Sequence, residues 1–120
     1  MAAPNIINVE SIIGKTVGIA LTTGLTTTLL ENTSSSNKVF KINSLIVSNI
    51  DGSSAADVTV DWYNGITGYK LASTVQVPAD STLVIVSKDT SLYLEENCSI
   101  RGGASADGDL ECIISYEEIS

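Results

Sequence analysis

Gly14-Lys15-Thr16 closes the stretch VESIIGKTVG and has the ending of a phosphate-binding loop. The full pattern requires a first glycine five positions before Gly14, because consecutive backbone N–H groups must turn to wrap the phosphates. Val9 stands there. The following residues, Thr16 to Thr23, mix glycine with β-branched side chains and make a poor helix. The expectation is a turn before a strand, with Lys15 solvated. Asp107, Asp109 and Glu111 alternate in a way that oxygen ligands for calcium also do, but the twelve-residue loop pattern is missing. A solvated hairpin tip is expected. Glu95/Glu96 and Glu117/Glu118 are adjacent pairs. Neighbours in an extended chain point to opposite faces, so neither pair makes an acid/base couple.

No histidine is present. This removes Ser-His and Cys-His catalysis and the usual near-neutral general base. The two cysteines, Cys98 and Cys112, are too few for a four-cysteine zinc site. They admit a disulfide or two buried thiols. Assembly in a reducing cytoplasm favours the thiols. Trp62, Tyr63 and Tyr69 flank an NGITG turn. Trp62 shares the parity of Val58 and Val60 and is expected in the core. Tyr63 and Tyr69 are candidates for exposed contacts, either at a protein interface or stacked on sugar.

The chain has 120 residues, enough for one domain with one core. Apolar residues make up 43% and charged residues 17%, which is a folded composition. Net charge is −8, and the six basic residues are scattered singly. Nucleic acid needs a basic patch, and acidic membranes repel such a chain, so neither is an expected partner. No cofactor, metal or enzymatic activity is expected. The start, MAAPNIINVESII, lacks a basic segment before a continuous apolar run, so a secretory signal is not expected.

Positioning these residues requires strands. Residues 1–11 suggest an arm or edge segment, with Ile6, Ile7 and Val9 in need of cover, and residues 12–120 a single β domain. Strand patterns recur at 16–22, 25–31, 38–50, 57–63, 69–77, 82–88 and around Leu92, separated by glycine and polar turns. The first two suggest a pair around Thr23-Gly24. Residues 57–63 and 69–77 suggest a hairpin. A last hairpin folded about Ser105 would set Ile100 opposite Leu110 and Cys98 opposite Cys112. In residues 38–50, Phe40, Ile42, Ile46 and Ile50 share one parity, and Leu45 and Val47 the other. Both faces then read as apolar, which predicts contacts beyond the core. About eight short antiparallel strands without a convincing helix predict an all-β fold, a β-sandwich or jelly-roll-like domain.

KVFKINSLIVSNIDG (38–52), VPADSTLVIVSKDTSLYLEE (77–96) and ADGDLECIISYEEIS (106–120), with the start PNIINVESIIGKT, resemble small virion structural proteins of tailed bacteriophages, especially contractile-tailed cyanophages. The likeness is one of overall wording across most of the chain. It implies a non-enzymatic virion protein, made in the bacterial cytoplasm, without fixing its place in the particle; the acidic, cysteine-poor composition favours the capsid exterior. Its role would be that of a capsid decoration protein contacting the phage major capsid protein and copies of itself, by analogy as a trimer. Candidate interface residues are Ile6, Ile7, Val9, Leu45, Val47, Tyr63 and Tyr69. The alternatives are a tail, neck or fibre accessory protein, or a carbohydrate-binding adhesion module.

Overall fold

The computed structural model describes residues 10–120, which form two antiparallel sheets packed face to face. The strands are β1 (Ile12–Ala20), β2 (Thr28–Asn32), β3 (Val39–Asn49), β4 (Ala56–Tyr63), β5 (Gly68–Val77), β6 (Thr82–Val86), β7 (Leu92–Leu94), β8 (Cys98–Ala104) and β9 (Leu110–Ile119). One sheet has the order β1-β9-β3-β6, with β7 also on β3; the other has the order β2-β8-β4-β5. A single 3₁₀ turn, Lys88–Thr90, separates β6 from β7. These two strands run along the same side of β3, at Leu45–Ser48 and Phe40–Ile42, as one interrupted strand. The fold is all-β, as the strand spacing predicts.

Counting β6 and β7 as one, the pairs β4·β5, β3·β6, β2·β8 and β1·β9 make a single nested ribbon. The ribbon wraps so that β9 pairs with β3 and β8 with β4. This is the strand order of a jelly roll. It overturns two expected hairpins. β1 and β2 lie in different sheets, as do β8 and β9. Cys98 pairs with Asn32, while Cys112 lies between Ile19 and Val47. Alternation identified the buried faces of β8 and β9, but two strands with matching buried faces can oppose each other across a core as readily as within a sheet. The hairpin of β4 and β5 forms as expected, with Trp62 against Tyr69 and Tyr63 against Gly68.

The core is built from Leu21, Ile42, Leu45, Val47, Val58, Val60, Val77, Leu94, Ile100, Leu110 and Ile114, each at most 1% exposed. Leu45 and Val47 are therefore core residues and not interface residues, a correction with a local cause. The register of β3 against β9 shifts between Ile42 and Ser44. A bulge inserts one residue and reverses which parity faces inward. Phe40 and Ile42 point into the core before it, and Leu45 and Val47 after it. What looked like two apolar faces is mostly one face with a bulge in it.

Glycines in β8 mark close backbone approach. A Cβ on Gly103 would lie 2.5 Å from the Gly24 carbonyl oxygen and 2.7 Å from that of Thr22. The segment leaving β1 crosses here and accepts a hydrogen bond at the Thr22 oxygen from Ala104 N–H (2.8 Å). Gly102 and Gly103 thus lie inside a strand and not in the tip of the hairpin expected about Ser105.

Candidate interaction surface

Gly14, Lys15 and Thr16 lie in the middle of β1, not in a turn. Successive N–H groups in a strand point to opposite sides, so they do not converge on a phosphate. Lys15 Nζ is 2.8 Å from Glu118 Oε2, and Lys38 Nζ is 3.0 Å from Glu118 Oε1. The Lys15 hydrogen bond, helped by Lys38, holds the Glu118 carboxyl below its ordinary range despite the opposing effect of burial. Lys15 is thus held by an ion pair within the chain.

Asp107 accepts a hydrogen bond from Thr23 N–H at 2.8 Å and ties the tip before β9 to the β1 exit. Glu111 lies in β9, with its Cα opposite those of Ala20 and Ser48. Among the described residues, no three acidic, cysteine or histidine side chains gather as a metal site. Cys98 and Cys112 are buried free thiols, and burial pushes Cys112 up to about 12 and raises Cys98.

The aromatic cluster separates. Tyr69 pairs with Trp62 on the side of the sheet that bears Ile100, and their rings lie 6.2 Å apart. Tyr63 is on the opposite face. Its ring lies under Arg101, 3.9 Å from the guanidinium carbon, in a cation–π contact. Arg101 in turn grips the buried Asp61 in a bidentate pair, Nε–Oδ1 3.0 Å and Nη2–Oδ2 2.7 Å. Gly68 leaves room for this pair, since a Cβ there would meet both partners at 2.5 Å. Tyr63 is therefore engaged within the chain, while Tyr69 is exposed. Ile6, Ile7 and Val9 lie outside the described residues.

The outer face of the β1-β9-β3-β6 sheet carries a feature that the candidate residues missed. Gly18, Ile113, Ile46 and Val84 stand in register as one row across four strands. Val84 is 58% exposed and Ile113 40%. A Cβ on Gly18 would meet nothing within 4 Å, so β1 is open beside Ile113. A shallow depression of about 250 Å³ lies here, lined by Gly18, Ile19, Ala20, Glu111, Cys112 and Ile113. The signal for Ile113 was present: it is the apolar residue out of phase with Leu110, Cys112, Ile114 and Tyr116. The signal for Val84 was hidden in TLVIV, where every central residue is apolar.

Comparison with protein-family models, curated proteins and solved structures finds no match.

Proposed function

We propose that this chain is a structural protein of a bacteriophage virion, a capsid decoration protein that stabilises the shell by protein–protein contact. The observation that carries the reading is the apolar row of Gly18, Ile113, Ile46 and Val84 on an outer sheet face. An exposed apolar group on a rigid sheet serves binding better than chemistry. The resemblance of residues 38–52, 77–96 and 106–120 to virion proteins supplies the partner, a phage major capsid protein. Jelly rolls serve in viral capsids, lectins and cupins, so the fold alone does not choose among them. A carbohydrate platform is less favoured, because Tyr63 and Tyr69 lie on opposite faces and Tyr63 is engaged by Arg101.

Purified shells of the parent phage lacking this protein, titrated with labelled protein, test the proposal. Native protein is expected to bind in many copies. Val84→Glu and Ile113→Glu are expected to weaken binding at least ~10-fold, since each forces a charge into an apolar contact. Shells that take up no protein, or variants that bind as well as native protein, overturn it. Imaging that placed the protein only at the tail or neck would remove the decoration role and keep the virion assignment.

A further inference from the structure

We propose that β1 is a self-pairing edge: two copies join antiparallel through Ile12–Ala20 about a two-fold axis at Thr16 and fuse their sheets into one. The inference supplies a contact between copies and does not depend on the shell reading above.

Ser11 and Ser120 exchange both backbone hydrogen bonds, at 3.1 and 2.9 Å, and Leu21 N–H donates to Leu110 at 2.9 Å. The register against β9 continues without a shift from Ile12↔Ile119 to Ala20↔Glu111. In an antiparallel ladder the bonded residues alternate. The odd residues of β1 therefore bond to β9, and Ile12, Gly14, Thr16, Gly18 and Ala20 turn their N–H and C=O groups away from it. Among the described residues, no strand pairs with that side.

The other edges are blunted. β2 and β6 have five residues each, and each has a register shift in its ladder. β5 is longer, but its ladder shifts twice and Thr74 takes a left-handed φ of 53°. Thr74 N–H is tied to Thr59 Oγ1 at 3.0 Å, which holds that distortion in place. Short length and bulges are what keep sheet edges from pairing. β1 has nine regular residues and one charge, Lys15, which is drawn to Glu118. It also exposes Ile12 at 57% and Ile13 at 50%.

A second copy fits because the strand is self-complementary about Thr16. That axis sets the open residues against one another, Gly14 to Gly18, Thr16 to Thr16 and Ile12 to Ala20, and makes about ten hydrogen bonds between copies. On the inner side it sets Ile13 against Ile19, and the stem of Lys15 against Val17. No like charges stand directly opposite. Sliding one copy by two residues in one direction sets Lys15 against Lys15, which is repulsive. Sliding it in the other leaves Ile12 and Ile13 unpaired. Two edges that pair this way are used up, so the contact closes at a dimer. The trimer suggested by analogy with decoration proteins would need a different surface.

Sedimentation equilibrium of the full chain at tens of micromolar is expected to give the dimer mass. Thr16→Pro removes a donor that faces away from β9, a position where an edge strand tolerates proline, and is expected to give a monomer that unfolds cooperatively. Thr16→Cys places two thiols at a Cα separation of about 5.5 Å, within disulfide reach. Mild oxidation is expected to convert most of this variant to a covalent dimer, while Thr67→Cys in the β4–β5 turn stays largely uncrosslinked. A monomeric native protein, or a Thr16→Cys variant that fails to crosslink, overturns the proposal whether or not Thr16→Pro folds. So does a trimer that survives Thr16→Pro.

Discussion

Glu118 shows how a single buried side chain sets a pH dependence. It is largely buried and receives hydrogen bonds from Lys15 and Lys38 on two different segments. Its carboxyl titrates below the ordinary value of 4.5 in the folded chain. The unfolded chain therefore takes up its proton first as pH falls. The stabilisation is fully present above the ordinary carboxylate range and is lost as pH drops through the lowered folded value. Glu118→Gln is expected to cost about 1–2 kcal/mol at neutral pH, a moderate figure because both lysines are nearly half exposed. The gap between the urea-unfolding midpoints of the two proteins should narrow as the pH is lowered below the ordinary carboxylate range. A gap that stays constant with pH would assign the loss to packing. A second carboxylate, Asp61, is 1% exposed and gripped at both oxygens by the Arg101 guanidinium. Neither partner was singled out from the sequence, because 40 positions separate residues that meet only across β4 and β8.

At the scale of elements, the decisive feature is β8. Its run IRGGA looks like the approach to a turn, and in isolation glycine pairs do favour turns. The fold uses them for space. Gly103 admits the crossing segment at Thr22 to Gly24, and Gly102 sits against the Thr59 carbonyl oxygen. Gly103→Ala pushes a methyl group into backbone that cannot swing aside and is expected to destabilise by about 1–3 kcal/mol. Gly14→Ala, where a Cβ meets nothing within 4 Å, is expected to be nearly neutral for the fold. Thermal unfolding of the two variants side by side checks the contrast. Equal losses would mean that the crossing segment yields easily. The β3 bulge teaches a related lesson. Residues 38–50 read as a strand with two apolar faces until one inserted position realigns Leu45 and Val47 with Phe40 and Ile42.

At the scale of the molecule, the described residues form an elongated sandwich, 49 × 26 × 20 Å in its principal extents. Its broad faces differ in character. The β2-β8-β4-β5 sheet turns outward the polar assembly of Asp61, Arg101, Lys70 and Tyr63. The β1-β9-β3-β6 sheet turns outward its apolar row, and β1 bounds that face as a free edge among the described residues. If the chain serves the proposed decoration role, this arrangement predicts that its binding to the shell is carried by apolar contact. Affinity is expected to change less than about threefold between roughly 50 and 500 mM salt, since a charged contact would be screened over that range. A steep loss of binding with salt would move the docking surface to the charged groups.

The sequence by itself determined the class of fold and most of its elements. Alternation, threonine-rich strands and polar turns are local signals, and they placed strands in nearly every segment that forms one. They also brought out the β4–β5 hairpin, whose partners are joined by a short turn. Tertiary structure decided which strands are neighbours. The matching buried faces of β8 and β9 are satisfied equally by pairing or by packing across the core, and only the wrapping of the whole ribbon selects the second. The register of the β4–β5 hairpin put Tyr63 and Tyr69 on opposite faces, the β3 bulge buried Leu45 and Val47, and the wrapping gathered Gly18, Ile113, Ile46 and Val84 into one row from four strands. A surface assembled from residues so far apart in the chain has no local signature, because each member is an ordinary strand residue until its neighbours are known.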